Sequence, residues 1–316
     1  TNITEMTRSR QIWILAVLLL CGATACIREN IDDCETPVTL DFLYFGDGII
    51  DIFPERIRTV DMFVYRENGD LAATVSCSEE DLASDQGVDL RLMPGNYRIV
   101  CWGNAWENTH LEAEADEPYL GESSWFDGED CQGIDPLYFG EKTLTVPRTL
   151  KPVRDTVIYT CSHISIQVTM EGFANADNFN AAPATDGHNA PSTAPLITLS
   201  HEDLSAWIDF GNTPSEETTD YKPVISNHSE KADSYITLYR VPKFTNETGS
   251  QLTIVRNDTG AELYRRSFAD IINTLGIDVT SRDEVSIELI IRVWSMDGEV
   301  NIDIIGWNSE TVFPIL

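Results

Sequence analysis

The stretch Val88-Asp-Leu-Arg-Leu-Met-Pro-Gly-Asn-Tyr-Arg-Ile-Val-Cys-Trp102 decides the fold class. Apolar side chains take every second position up to Leu92, Pro94-Gly95 follows, and then a second apolar run begins. Alternate side chains of a strand point to opposite faces, and a Pro-Gly pair favours a turn, so the stretch predicts two strands joined by a turn. Tyr97–Trp102 is predicted to be strongly buried, with Trp102 in the core or at its rim.

The same period of two continues on both sides of this stretch. Val38–Tyr44 and Val60–Val64 alternate in the same way, and Asn68-Gly69 predicts a tight turn after the second of them. In contrast, Trp106–Gly133 is acidic, aromatic and irregular, which predicts a long loop. Further strands are predicted at Leu71–Val75, Leu137–Phe139, Thr143–Val146, Asp155–Thr160, Ile164–Met170, Tyr235–Val241, Leu252–Arg256, Glu262–Ser267, Val285–Trp294 and Val300–Ile305.

Helix signals are rare. Only Phe268–Leu275, which Gly276 follows, has the pattern of a helix, and Asn175–Pro195 is rich in Ala, Asn, Pro and Asp, as exposed loops are. Many short strands with Gly and Pro turns predict an all-β fold of two tandem Ig-like β-sandwich domains. We expect the amino-terminal sandwich at residues 38–160 and the carboxy-terminal sandwich at residues 161–316.

The amino-terminal residues predict a lipoprotein signal peptide, residues 1–25. If Met6 is the start, two arginines precede the apolar run Ile12–Leu20, and the small residues Ala23-Thr24-Ala25 lie directly before Cys26. The apolar run is shorter than the roughly 20 residues that span a bilayer. We therefore expect cleavage before Cys26, acylation of Cys26, including palmitate, and a lipidated tether at residues 26–37.

Two alternatives remain open at this end of the chain. Cys26 is a bystander if the signal peptide is an ordinary cleaved one, whereas Cys21 is a poorer lipidation site because bulky Leu20 precedes it. The acidic residues Glu29, Asp32 and Asp33 resemble the export signal that sends lipoproteins of Bacteroidota to the outer face of the outer membrane. A solvated tether explains the same cluster equally well.

The chain is strongly acidic. It has 21 basic and 52 acidic residues and a formal net charge of −31. Such a charge repels the phosphates of nucleic acid and of anionic lipid, so we exclude both as partners of the folded body. The apolar fraction of 42% is ordinary for a globular protein, so the acidity does not predict disorder.

No sequence pattern predicts catalysis, a cofactor or a metal site. The sequence has no G-x-S-x-G elbow, His201-Glu-Asp-Leu-Ser lacks the second histidine of a zincin, and Gly46-Asp-Gly48 lacks the third glycine of a dinucleotide loop. The histidines show no ligand spacing, and we expect His163 in a strand and the last three in loops. The five are His110, His163, His188, His201 and His228.

The acidic side chains and the cysteines give little indication of a catalytic site, a metal site or a disulfide. The pair Asp127 and Asp130 could serve a glycosidase, but such pairs arise by chance in so acidic a chain. Asp177 and Asp186 could hold calcium, but the spacing of an EF-hand is absent. The cysteines after Cys26 are five, so at least one is free or pairs outside the chain, and no C-x-x-C occurs. They are Cys34, Cys77, Cys101, Cys131 and Cys161.

Two motifs resemble a known family. Leu92–Asn104, and Ile57–Tyr65 with its Asn68-Gly69 turn, resemble the FimB-like fimbrial anchor lipoproteins of Bacteroidales, which belong to the fimbrillin superfamily of type V pili. The small residues before Cys26, the position of Cys34 and the late segment Val300–Trp307 also fit. The resemblance implies two transthyretin-like β-sandwiches and a role in pilus assembly, without catalysis or cofactors.

The resemblance also implies partners and a mode of assembly. Other fimbrial subunits are the expected protein partners, and the lipid is expected to hold the protein in the outer membrane, exposed at the cell surface. In this family a protease removes the first strand of a pilin, and the carboxy-terminal strand of a neighbour fills the groove, which is β-augmentation.

We expect this chain to keep its own first strand, Val38–Phe45, because the lipid on Cys26 would otherwise leave with it. The chain would then donate its carboxy-terminal stretch to the next subunit. Val300–Ile305 fits the last strand of the second sandwich equally well. The candidate donor residues are Val300, Ile302, Ile304, Val312 and Phe313.

Two other functions compete with fimbrial assembly. One is a surface glycan-binding lipoprotein, with Trp106, Trp125 and Phe126 as a stacking platform on the predicted long loop. The other, a secreted hydrolase, has the least support from the sequence.

Overall fold

The computed structural model describes residues 34–113, 117–149, 151–174, 195–296 and 299–306. These residues form nineteen strands and four short helices. The first nine strands are β1 (Thr36–Tyr44), β2 (Val60–Arg66), β3 (Leu71–Cys77), β4 (Gly87–Leu92), β5 (Gly95–Gly103), β6 (Thr109–Glu112), β7 (Tyr119–Glu122), β8 (Tyr138–Val146) and β9 (Val153–Cys161). The others are β10 (His163–Glu171), β11 (Ile197–Ser205), β12 (Trp207–Asp209), β13 (Thr218–Tyr221), β14 (Ser226–Asn227), β15 (Ser234–Pro242), β16 (Gln251–Arg256), β17 (Glu262–Ser267), β18 (Ser286–Met296) and β19 (Glu299–Gly306). The helices are α1 (Phe53–Arg56), α2 (Glu79–Ser84), α3 (Ser123–Phe126) and α4 (Phe268–Thr274).

Seven strands of the amino-terminal half form one sheet in the order β3-β2-β5-β8-β9-β1-β4. β8 and β9 pair only through Tyr138–Gly140, so the sheet has two arms on either side of this short ladder. The inward side chains of both arms share one core cluster, which includes Leu40 of β1, Met62 of β2 and Val157 of β9. The two arms therefore pack as the layers of a sandwich.

Local sequence explains the hairpin between β2 and β3. Gly69 adopts a φ of +88°, which lies in the region that favours glycine. The backbone N–H of Arg66 donates to the carbonyl oxygen of Asp70 at 2.8 Å and closes the turn. The predicted Asn68-Gly69 turn is confirmed, and it sets β2 beside β3 in an antiparallel register.

The carboxy-terminal half contains a five-stranded sheet, β14-β15-β10-β18-β19, and a four-stranded sheet, β13-β11-β16-β17. Alternating apolar side chains fill the space between them, among them Ile166 of β10, Leu289 of β18 and Ile254 of β16. Helix α4 adds the fully buried Phe268 to the same cluster. The expected all-β fold with two tandem sandwiches is confirmed.

A third, small sheet joins the two halves. It has the order β12-β7-β6, so it takes two strands from before residue 160 and one from after it. Phe210, next to β12, packs against Phe63 of β2 and Trp102 of β5, with ring centroids 5.1 Å and 6.1 Å away. Trp102 is fully buried and therefore belongs to the core. The predicted division at residues 160 and 161 stays a prediction, although β9 ends at Cys161 and β10 begins at His163.

Several predictions of local structure were wrong. The region Trp106–Gly133, predicted as a long loop, contains β6, β7 and α3, because β7 pairs with β6 on one edge and with β12, from a distant part of the sequence, on the other. His201, predicted in a loop, lies in β11 and is fully buried. Short helices α1, α2 and α3 were not expected, and the two strands predicted between residues 137 and 146 are the single strand β8.

Candidate functional site

The first strand, β1, is an interior strand of its sheet. It pairs in parallel with β9 over Val38–Tyr44 and antiparallel with β4 over Thr36–Asp41. Four large apolar side chains of β1 point inward, and burying such a side chain stabilises the fold by roughly 1.5–3 kcal/mol. Together they match the whole free energy of unfolding of a typical domain, about 5–15 kcal/mol, so β1 is integral to this sandwich. The inward side chains, at most 1% exposed, are Val38, Leu40, Phe42 and Tyr44.

Asp51 fixes the carboxy-terminal end of β1. One of its carboxylate oxygens accepts the backbone N–H groups of Tyr44 at 3.0 Å and Phe53 at 3.1 Å. The other accepts the side-chain amide of Gln86 at 2.7 Å, and the same amide donates to the carbonyl oxygen of Phe42 at 2.6 Å. These bonds tie the end of β1 to the segment before α1 and to the residue before β4. No pattern in the sequence indicates them, because they join residues without a recognisable spacing.

The carboxy-terminal strand, β19, lies at an edge of the five-stranded sheet beside β18. Ile302 and Ile304 are buried and lie opposite Val293 and Ile291, so they belong to the core of their own sandwich. Val300 is part of the same strand. The two remaining candidate donor residues, Val312 and Phe313, lie outside the described residues, and donation stays a prediction.

A cleft of about 1460 Å³ lies where the two sandwiches meet. One wall comes from the loop and helix between β1 and β2, with the residues after β5. The opposite wall comes from β10, β15 and the start of β18. Three large apolar side chains of the first wall remain exposed, namely Ile49 at 93%, Ile50 at 74% and Trp106 at 43%. The signal that could have found this rim is the unusual Ile49-Ile50 pair directly after the turn residues Gly46-Asp-Gly48.

Polar contacts hold the two walls together. The guanidinium of Arg56 donates to the carboxylate of Glu284 at 2.7 Å, and Asp47 accepts the backbone N–H of Asp283 at 2.7 Å. That N–H keeps the pKa of the Asp47 carboxyl below its ordinary value, while the bond to Glu284 raises the pKa of Arg56. Both carboxylates are open to water, so each contact contributes about 1 kcal/mol or less, but together they fix the spacing of the walls.

Asn104 organises the floor of the first wall. It is fully buried and has a φ of +62°. Its side-chain oxygen accepts the backbone N–H of Arg58 at 2.7 Å, and its amide donates to the carbonyl oxygens of Arg56 at 2.8 Å and Pro136 at 3.2 Å. One side chain therefore joins the end of β5 to the segments that line the cleft on either side.

Cys161 and His163 meet at the floor of the cleft without forming a nucleophilic pair. The sulfur lies 3.3 Å from Nδ1 of His163, and the same nitrogen lies 3.0 Å from the carbonyl oxygen of Leu137. Burial raises the pKa of the Cys161 thiol to about 12 and lowers the pKa of His163 to about 4. Both side chains are therefore neutral near pH 7, and a neutral thiol is a poor nucleophile.

The predicted stacking platform is divided. Trp106 lines the cleft, and its indole N–H donates to the hydroxyl of Thr59 at 2.8 Å. Trp125 and Phe126 are half-buried in another cluster, where their rings contact each other at 4.9 Å and Phe126 stacks on Tyr119 at 5.8 Å. No ring contact between described residues joins Trp106 to this second cluster.

The remaining candidate residues contribute no reaction centre within the described ranges. Asp130 binds Lys222 at 2.8 Å, and the described residues hold no cluster of three potential metal ligands. The five described cysteines form no disulfide. Cys26, Asp177 and Asp186 lie outside the described residues. None of the helices that the structure describes is both long and apolar enough to span a membrane.

Comparison with known proteins identifies a family and a fold. The sequence profile of the family described as fimbrillin-A associated anchor proteins Mfa1 and Mfa2 matches residues 31–313. No curated protein matches the sequence significantly. The solved fimbrial anchor protein Mfa2 from Porphyromonas gingivalis aligns with 87% of this chain and 98% of its own, with 13% identity and a TM-score of 0.63.

Two further solved structures have the same architecture. A proposed adhesin from Bacteroides ovatus aligns with 92% of this chain and 97% of its own, with 15% identity and a TM-score of 0.65. A proposed polysaccharide-binding protein from Bacteroides thetaiotaomicron aligns with 89% of this chain and 99% of its own, with 12% identity and a TM-score of 0.64. At such identities the likeness shows a common fold.

Proposed function

This chain belongs to the family of fimbrillin-A associated anchor proteins, and from that membership we propose that it is a lipid-tethered anchor or minor subunit of a fimbria. The family is one of structural proteins of the cell-surface fimbrium. The proposal adds three finer points. The tether is the lipid on Cys26, the membrane is the outer membrane, and the next subunit is held by a strand that this chain donates.

The observation that carries the proposal is the position of β1. Thr36, its first residue, lies only ten residues after Cys26. β1 is hydrogen-bonded on both edges and buried on its inward face, so it connects the lipid site to the body of the protein. A chain that lost β1 would lose its tether, whereas a chain that keeps β1 stays attached but has no open groove for a neighbouring strand.

Because β1 fills the groove of its own sandwich, a neighbouring strand cannot enter there. Contact with the next subunit must then use the carboxy-terminal end of the chain. An edge strand presents unpaired backbone N–H and C=O groups, and pairing with such groups is the basis of β-augmentation. β19 is an edge strand among the described elements, and the apolar run Val312-Phe-Pro-Ile-Leu316 follows it in sequence. We propose that the segment after β19, which contains this apolar run, supplies the donated strand.

Two variants of the full-length precursor test the proposal. Cys26→Ala is expected to release the protein from membranes or to leave the precursor uncleaved, as judged by membrane partition and the mass of the amino terminus. Deletion of Thr311–Leu316 is expected to leave a membrane-bound protein that still unfolds cooperatively but to detach the pili. Normal attachment in the deletion variant excludes those residues as the donor, and a mature terminus beyond residue 45 with pili still attached contradicts retention of β1.

A further inference from the structure

The last strand, β19, runs toward the end of its sheet that lines the cleft. Gly306 lies opposite Leu289, and the two strands run antiparallel. Three more residues in the same register would bring the chain level with Ser286, which lines the cleft. Ser286 forms a single row across the sheet with Ser165 of β10 and Arg240 of β15, and both of these also line the cleft.

The segment that follows β19 is long enough to enter the cleft. Ten residues follow Gly306, and the last seven of them, Glu310–Leu316, span up to about 23 Å when extended at roughly 3.3 Å per residue. Five of those seven are apolar or proline, in the order Val-Phe-Pro-Ile-Leu. The only charged side chain of the ten is that of Glu310.

The cleft offers complementary chemistry. Six large apolar side chains are exposed among the described residues, and three of them, Ile49, Ile50 and Trp106, line this one cleft. Clustered exposed apolar side chains mark interaction surfaces. Arg240 also lines the cleft and makes no ion pair with any described residue, which suits an incoming carboxylate in an otherwise acidic molecule.

We propose that the cleft between the sandwiches is a docking surface for the chain's own segment Trp307–Leu316 before assembly. The apolar run covers Ile49, Ile50 and Trp106, and the carboxylate of Glu310 meets Arg240. The inference rests on the proposed donor role of this segment, which leaves the cleft when it pairs with the next subunit. Docking within the same chain shields an apolar segment from premature pairing.

Photo-cross-linking in the full-length purified protein tests the docking. With p-benzoylphenylalanine in place of Phe313, illumination at low protein concentration is expected to join residue 313 to residues 45–52 or 104–108 within one molecule. Ile50→Asp is expected to lower that yield at least fivefold. Ile158→Asp is the matched control, because Ile158 is 56% exposed but does not line the cleft, and it is expected to leave the yield unchanged.

The outcomes separate docking from donation. Cross-links only to other segments, only between molecules, or none at all overturn the docking proposal, whatever the pili do. If the deletion of Thr311–Leu316 detaches pili while residue 313 shows no cross-link to the cleft, donation stands and docking falls. If residue 313 cross-links to the cleft and the deletion leaves pili attached, the segment docks, but its role as donor is excluded.

Discussion

At the level of single residues, Asn104 is a structural junction whose side chain makes four hydrogen bonds in a fully buried position. It is the last residue of the motif Leu92–Asn104, and its role depends on two properties that few residues combine. Its φ of +62° is unfavourable for most L-residues, although Asn tolerates it, and its side chain joins three backbone segments in a fully buried position. The sequence motif indicated a family, but nothing in the sequence revealed that its final Asn is a structural junction beside a cleft.

Replacing Asn104 separates the two properties. Asn104→Ala is expected to lower the free energy of unfolding by about 2–4 kcal/mol, because it leaves buried backbone groups unpaired and strains the backbone. Asn104→Gly loses the same bonds without the strain and is expected to be about 1 kcal/mol less destabilised than the Ala variant. Urea unfolding of both variants measures the difference, and equal losses would show that the positive φ carries no strain.

His201 makes stability depend on pH. It is fully buried, its ring nitrogens lie 3.1 Å from the Tyr239 hydroxyl and 3.0 Å from the Ser250 hydroxyl, and burial lowers its pKa to about 3. In the unfolded chain this histidine binds a proton near pH 6.5, whereas in the folded chain it stays neutral at that pH. The contribution of His201 to the free energy of unfolding is therefore complete above pH 6.5 and falls by about 1.4 kcal/mol per pH unit below it.

The His201→Gln variant tests this dependence. It is expected to be less stable than the parent at pH 7 but to lose about 2 kcal/mol less between pH 6.5 and pH 5, because Gln does not titrate. Unfolding titrations at both values measure the two slopes. Parallel losses in the parent and the variant would mean that His201 is already charged in the folded protein.

At the level of elements, β1 depends on a close approach by β4. A Cβ atom added at Gly87 would clash with the carbonyl oxygen of Leu40, so any side chain there pushes the two backbones apart. Gly87→Ala is expected to cost about 1–3 kcal/mol and to speed hydrogen exchange in β1. Gly249→Ala is the control, since nothing lies within 4 Å of its added Cβ. Equal exchange in the two variants would contradict a tight β1–β4 contact.

Elements with a strong local pattern could be predicted, and those that depend on distant partners could not. β1, β2 and β10 carry an apolar side chain at every second position, so their existence and one buried face of each followed from the sequence. β6, β7 and β12 are short, and none of them is recognisable as a strand from its own sequence, because the sheet depends on the pairing of β7 with the distant β12. The cleft was unpredictable for the same reason, as its walls come from segments separated by more than 100 residues.

At the level of the whole molecule, the two sandwiches share apolar surface. Phe63 and Trp102 pack on Phe210, and β7 pairs with β12 across the predicted domain boundary. A fragment of residues 38–160 is therefore expected to give a β-type circular dichroism spectrum but to bind a hydrophobic dye and to associate, unlike the full mature chain. A monomeric fragment that binds no dye would show that the halves are independent.

The parallel pairing of β1 with β9 has a mechanical consequence. The chain enters β1 at Thr36, at one end of the ladder, whereas β9 leads at its opposite end through Cys161 into the second sandwich. Tension between the amino and carboxyl termini therefore pulls the two strands in opposite directions along their length. All seven registered pairs, from Val38 with Val153 to Tyr44 with Tyr159, are loaded in shear at once and do not open one by one. A protein built in this way resists stretching along its length far better than peeling from the side.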